Sequence, residues 1–161
     1  MYYKFPMSNI KTIIIVAGLP GSGKTTWSNN QAKNIGVNAI VIDDPSIDLK
    51  RWNVIKSHHT HVFVADPYLS IMTVDKVCAM LTNRIGVDIS KIDLKWVCLE
   101  NNLQKSLGRA RPSVTNVANR LQEKYIIPQN AMRLPWNDTS LSWNDCPNIL
   151  PLYLKKLVYL S

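Results

Sequence analysis

The chain has 161 residues, 46% of them hydrophobic, and 19 Lys and Arg against 11 Asp and Glu give a formal net charge of +8. That length predicts one domain over 1–161, with a core over 11–127 and an extension over 128–161, and leaves no room for a second catalytic domain. Composition excludes disordered, collagen-like and disulfide-rich classes. Residues 101–161 hold eight basic and three acidic residues, a surplus that favours polyanions such as phosphates or nucleic acid as partners.

Cys78, Cys98 and Cys146 form no C-x-x-C pair and are odd in number, which suits a reducing, cytoplasmic setting. The apolar runs Ile13–Ala17 and Ile149–Leu160 are shorter than a spanning helix, so no membrane partner is expected. Pro151 and Lys155-Lys156 interrupt the second run, which reads as a packed terminal element.

In chain order, the β-branched run Lys11–Ala17 predicts a strand buried on both faces. Similar runs follow at Ala39–Ile42, His61–Ala65 and Leu94–Leu99, separated by segments long enough for crossover helices. Helices are predicted over Lys24–Asn34, more weakly over Ile47–Lys56, then over Ile71–Arg84, Asn102–Arg109 and Val114–Tyr125. Strand alternating with helix gives an α/β fold with a mostly parallel sheet flanked by helices. Trp136-Asn137-Asp138 returns as Trp143-Asn144-Asp145 in a Pro-containing stretch that reads as turns.

Gly18-Leu19-Pro20-Gly21-Ser22-Gly23-Lys24-Thr25-Thr26 satisfies G-x-x-x-x-G-K-[ST] between the first strand and the first helix, the context that the phosphate-loop motif requires. Glycines there allow a backbone that turns successive N–H groups inward as an oxyanion nest. Gly18, Gly21, Ser22, Gly23, Lys24, Thr25 and Thr26 are therefore the candidate nucleotide-binding residues. Lys24 is placed to meet the β- and γ-phosphates, Thr25 to put its hydroxyl on Mg²⁺, and the helix to aim its positive end at the phosphates. No N-K-x-D guanine-reading element occurs, so ATP is preferred to GTP. The expected fold class is thus that of P-loop NTPases, with ATP and Mg²⁺ as cofactors.

Asp43-Asp44 and Asp66 end the second and third strands, the sheet edge at which doubly wound folds bind ligands. Phosphoryl transfer needs a cation on the phosphates, a carboxylate to take the acceptor proton, and positive charge over the transferring group. Asp66 is a candidate for holding Mg²⁺ through a water, Asp43 for the base, and Asp43 or Asp44 for facing the crevice. Both Asp-Pro pairs also suit turns or helix N-caps. Arg109 and Arg111 end a short basic segment that reads as a small helical lid closing over the nucleotide, or as a solvated basic face. Arg120, on the next helix, takes no assignment.

Gly18–Trp27, the Asp43-Asp44 pair and the Arg-rich segment after the fourth strand resemble the 5′-kinase domain of phage-type polynucleotide kinases, over roughly residues 11–127. The resemblance implies transfer from ATP, with Mg²⁺, to the 5′-hydroxyl of DNA or RNA. It makes Lys24 and Thr25 the phosphate and metal residues, Asp43 the general base and Arg109 a lid arginine. The family places an acceptor-binding Arg where this chain has Ser46, with Lys50 and Arg51 as the nearest substitutes, and Arg111 does not keep the family spacing. A kinase of a nucleoside, nucleotide or other small metabolite, or an ATP-binding module without transfer, therefore remain the alternatives to a polynucleotide kinase. His58, His59 and His61 lack the further ligands of a closed zinc shell. Trp136 and Trp143, near Arg133, suit packing over the sheet better than a base-stacking platform. Trp27 is expected to anchor the first helix.

Overall fold

The structure, a computed structural model, describes residues 9–100, 104, 115–135 and 140–154. Five parallel strands, β1 (Thr12–Ala17), β2 (Ala39–Asp43), β3 (His61–Ala65), β4 (Asp93–Leu99) and β5 (Met132–Leu134), form one sheet in the order β2-β3-β1-β4-β5. The helices are α1 (Lys24–Ile35), α2 (Val74–Ile85) and α3 (Thr115–Glu123). This is the α/β P-loop architecture expected from the alternating pattern. The small helical lid expected around Arg109 and Arg111 lies outside the described residues; Gln104, in the same segment, is helical.

β1 is central because every one of its residues can be buried: Ile13, Ile14, Ile15, Val16 and Ala17 are all inaccessible to solvent. Alternate residues feed two layers. Ile13, Ile15, Val62, Val64, Leu94 and Trp96 meet Val77, Leu81 and Ile85 of α2 on one face. Ile14, Val16, Phe63 and Val97 meet Trp27 of α1 on the other. Trp27 is fully buried, edge-on to Phe63 with 6.2 Å between ring centroids, and anchors α1 as expected. Each such side chain contributes about 1.5–3 kcal/mol by leaving water, so burial on both faces fixes β1 in the middle of the sheet.

Three elements differ from the pattern reading. The stretch 47–56 holds only a 3₁₀ turn, Leu49–Val54, because Trp52 and Ile55 alone reach the core while Ile47, Leu49 and Val54 face solvent, leaving no apolar stripe for a helix. The helix expected from Ile71 begins at Val74: Asp66 caps a separate 3₁₀ turn, Pro67–Ile71, and the Thr73 hydroxyl caps α2 by accepting from the Lys76 N–H. The third is β5, which comes from the region read as an extension and carries the sheet beyond β4.

Residues 141–150 strap the amino end of the sheet. Leu141 O accepts from Trp27 Nε1 at 3.1 Å and Gln31 Nε2 at 3.3 Å, and Trp143 N donates to Gln31 Oε1 at 2.9 Å. Lys95, buried in β4, donates to Cys146 O at 2.6 Å and lies 5.5 Å from the Trp143 ring centroid. Ile149 N donates to Leu94 O, and Ile149 and Leu150 enter the opposite core layer. Trp143 is thus a packing residue, as is the start of the terminal apolar run; Trp136 lies outside the described residues. His59 and His61 sit at this same amino end, His59 Nδ1 accepting from the Lys56 N–H and His61 Nδ1 bonded to the Thr60 hydroxyl. All three cysteines are free and buried, with burial pushing each thiol up to about 11. No helix among the described residues is long and apolar enough to cross a membrane.

Candidate active site

β1 is followed by α1 on one face of the sheet and β3 by α2 on the other, so a crevice opens at the carboxyl ends of β1 and β3 where the connections diverge. The Gly18–Gly23 loop enters it from β1, Asp43 and Asp44 from β2, and Asp66 from β3. Parallel register delivers all of them to one edge: Asp43 pairs with Ala65, and Val16 with the same Ala65.

The loop has the shape that its glycines permit. Gly21 and Gly23 have φ of 78° and 98°, the left-handed region that a side chain disfavours. At Gly18 the limit is space, since a Cβ there would lie 2.5 Å from Ser22 Oγ, 3.2 Å from Leu99 Cβ and 3.3 Å from Lys24 Cγ. Ser22 Oγ is buried in this loop without a hydrogen-bond partner. α1 starts at Lys24 with no side-chain cap and no acid in its first turn, so its free N–H groups and positive dipole end face the loop uncompensated. A cradle that admits no Cβ, an orphan hydroxyl and an uncapped helix of twelve residues fit a bound polyphosphate.

Lys24 is only 6% exposed, and its Nζ donates to Leu19 O at 2.9 Å. Burial pushes its ammonium down to about 8, against the pull of the Asp44, Asp66 and Asp43 carboxylates. It is a buried cation held beside three acids and bonded to a neutral carbonyl. Thr26 is exposed and makes none of the site's hydrogen bonds.

The acids are not equivalent. Thr25 Oγ1 donates to Asp43 Oδ1 at 2.8 Å, tying the loop hydroxyl to the end of β2. Asp44 takes the left-handed conformation at φ 49°, its N–H bonded to Ala65 O at 2.8 Å, so the backbone turns sharply between the two acids. Burial, then the neighbouring Asp43 and Asp66 carboxylates, hold the Asp44 carboxyl above the usual range, while Lys24 and Arg51 oppose the shift. Asp66 is 2% exposed and committed to the backbone: Oδ1 accepts from Tyr68 N at 2.9 Å and Oδ2 from Ser46 N at 2.8 Å. The N-cap reading of Asp66 is therefore correct, and any metal contact from it must use the remaining lone pairs.

Arg51 donates to the Asp43 carbonyl at 2.8 Å and so stands beside the crevice, whereas Ser46 presents no charge there. Arg109 and Arg111 lie outside the described residues. No cluster of three or more His, Cys, Asp or Glu side chains among the described residues could hold a metal alone. Magnesium does not need one, because it keeps several waters and binds through one or two carboxylates plus substrate phosphates. Thr25 and Asp43, already hydrogen-bonded, fit that role.

Two cavities adjoin the crevice, and neither is legible in the sequence. One of about 360 Å³ opens at the carboxyl ends of β4 and β5, between Leu99, Tyr125, Arg133 and Pro135. It shares Leu99 with the wall against Gly18, and the Tyr125 hydroxyl donates to Leu99 O at 3.0 Å. The other, of about 200 Å³, runs from Ser46 and Asp66 toward α2.

No protein-family model matches the chain, and no curated protein matches it in sequence. Solved structures do match its fold. A gluconokinase from Sinorhizobium meliloti 1021 superposes with TM-score 0.50 at 14% identity, covering 95% of this chain and 98% of that one. The protein APE1195 superposes with TM-score 0.52 at 15% identity, covering 94% and 97%. A shikimate kinase from Aquifex aeolicus gives TM-score 0.42 at 13% identity, covering 91% and 98%. The chain has the P-loop fold that the gluconokinase shares, over nearly the full length of both.

Proposed function

We propose that the protein is an ATP- and Mg²⁺-dependent kinase that transfers the γ-phosphoryl group to a hydroxyl of a small-molecule acceptor. The observation that carries this reading is the convergence of Lys24, Thr25, Asp43 and Asp44 on one crevice below an uncapped helix N-terminus. The small acceptor is favoured over a polynucleotide by Ser46. Its backbone N–H is already bonded to Asp66, and it has no cation to hold a nucleic-acid phosphate where the resemblance to polynucleotide kinases expects one. The fold likeness to a gluconokinase along nearly that whole chain points the same way.

In this proposal the loop N–H groups and Lys24 Nζ bind the phosphates, Lys24 exchanging the Leu19 carbonyl for phosphate oxygen. The Thr25 hydroxyl and Asp43 would hold Mg²⁺, which would supply positive charge on the phosphates. Asp43, expected from the sequence to be the base, is better used on the metal side because Thr25 already donates to it. Asp44 then takes the acceptor proton. The acceptor oxygen forms a bond to the γ-phosphorus as the bond to the β–γ bridging oxygen breaks, ADP leaves, and the proton on Asp44 passes to solvent. Arg109 and Arg111 are proposed to cover the transferring group, and the 360 Å³ cavity beside Leu99 to take the nucleobase.

The test is incubation with Mg²⁺ and γ-labelled ATP against small hydroxyl compounds and a 5′-hydroxyl oligonucleotide. Label on a small molecule is the expected result, and label on the oligonucleotide alone reinstates the polynucleotide acceptor. Free phosphate without transfer, or no ATP binding by calorimetry, overturns the kinase reading.

A further inference from the structure

The 200 Å³ cavity beside the crevice begins at Ser46, two residues past Asp44, and is enclosed by Trp52, Leu69, Met72 and Met80, with Arg84 on its wall. Its surface is mostly hydrocarbon and sulfur. Asp66 is held in place by the backbone, each of its oxygens accepting one N–H bond. Arg84, in the last turn of α2, has no carboxylate partner among the described residues and lies about 15 Å along the helix from Val74 at 1.5 Å per residue. Two further apolar residues of the cavity face water, Leu49 at 51% and Tyr68 at 36% exposure. Such exposure clustered at a cavity mouth marks a ligand surface.

A polyhydroxylated acceptor is ill suited to this lining. Each hydroxyl buried against Trp52, Leu69 or the methionines would lose water without gaining a partner. The volume is also below the roughly 300–1,000 Å³ of sites for drug-sized ligands, which excludes a nucleotide. We infer that this cavity, resting on the kinase reading above, selects as phosphoryl acceptor a small alcohol with an apolar, ring-sized body and an anionic substituent that pairs with Arg84. The hydroxyl end lies toward Asp44, the ring on Trp52 and the two methionines, and the anion at α2. The pairing at Arg84 is a charge-assisted bond and fixes which end of the acceptor meets the phosphoryl group.

The experiment uses the whole protein with four probes: para-(hydroxymethyl)benzoate, benzyl alcohol, gluconate and a 5′-hydroxyl oligonucleotide. With Mg²⁺ and γ-labelled ATP, para-(hydroxymethyl)benzoate is expected to accept phosphoryl at least tenfold better in kcat/KM than gluconate. Arg84→Ala raises its KM by about tenfold and leaves benzyl alcohol unchanged, and Arg84→Lys restores part of the loss. Independently of ATP, the methyl resonances of Met72 and Met80 shift with the benzoate and not with gluconate. Transfer to gluconate or to the oligonucleotide, with silent methionine resonances, overturns the acceptor class and leaves the kinase intact. Shifted methionines with bound ATP and no transfer to any probe overturn the kinase and keep the cavity's ligand class. Neither shift nor transfer overturns both.

Discussion

Replacing Lys24 with methionine should make the nucleotide-free protein more stable at neutral pH and remove ATP binding. The buried ammonium titrates near 8 in the folded chain against its ordinary 10.5. That gap of about 2.5 pH units, at about 1.36 kcal/mol each, means that folding around the charged lysine costs about 3 kcal/mol. Below pH 8 both folded and unfolded chains hold the proton and the full cost stands. Between pH 8 and 10.5 the unfolded chain holds more protons, so wild-type stability rises with pH; above 10.5 both are neutral and the cost is gone. A methionine side chain does not titrate, and every other ionisable group is common to the two proteins. Urea unfolding followed by tryptophan fluorescence from about pH 7 to 10.5 should therefore show wild type gaining about 3 kcal/mol on Lys24→Met. At neutral pH the variant's advantage is smaller than that by about 1 kcal/mol, because Leu19 O loses its donor. Parallel pH profiles for the two proteins would refute the account of a desolvated cation waiting for phosphate.

Gly18→Ala should cost about 1–3 kcal/mol by overpacking and weaken ATP binding at least tenfold, since its methyl meets Ser22, Leu99 and Lys24 at once; calorimetry and thermal unfolding read both effects. Asp43→Asn and Asp44→Asn should part company. The first raises the Mg²⁺ concentration needed for half-maximal transfer, while the second lowers kcat by a hundredfold or more at an unchanged Mg²⁺ requirement, as steady-state rates across a magnesium series will show. The raised Asp44 carboxyl also lifts the acid limb of kcat/KM above that of an ordinary carboxylate, with activity falling as pH drops through it. Gln31→Ala removes both of its bonds to the 141–143 segment, at about 1–3 kcal/mol, and should speed amide exchange over 141–146 while ATP binding persists.

Much of the fold is legible because parallel strands buried on both faces are mostly apolar, and residues 13–17, 62–65 and 96–99 carry such runs, with Lys95 a buried exception. The phosphate loop is legible because its glycines answer to backbone geometry and close approach, constraints local enough to leave a spacing in the chain. β5 is hidden because three residues, Met-Arg-Leu, carry no period, and only the Leu134 carbonyl bonded to Glu100 N and the register against β4 make them a strand. The division of labour between Asp43 and Asp44 is hidden for another reason. Two adjacent acids look alike in a sequence, and the left-handed turn at Asp44 separates them only in space. Arg84 sits one residue before the end of α2, where a cation reads as ordinary dipole compensation, and the cavity that it lines is assembled from three separate segments.

The strap across the amino end of the sheet has a consequence for biosynthesis. Trp27 bonds to a carbonyl 114 positions downstream, and Lys95 to one 51 positions on. At about 5–20 residues per second, the ribosome delivers Leu141 roughly 6–23 s after Trp27. For that interval the indole N–H has no partner; the Lys95 ammonium waits for Cys146 over 51 positions, roughly 3–10 s at the same rate, and β4 gains its outer neighbour β5 only once Met132–Leu134 is made. The nascent polypeptide thus lacks these partners until residues 141–150 emerge, and their emergence, more than the making of the phosphate loop, times the completion of the fold.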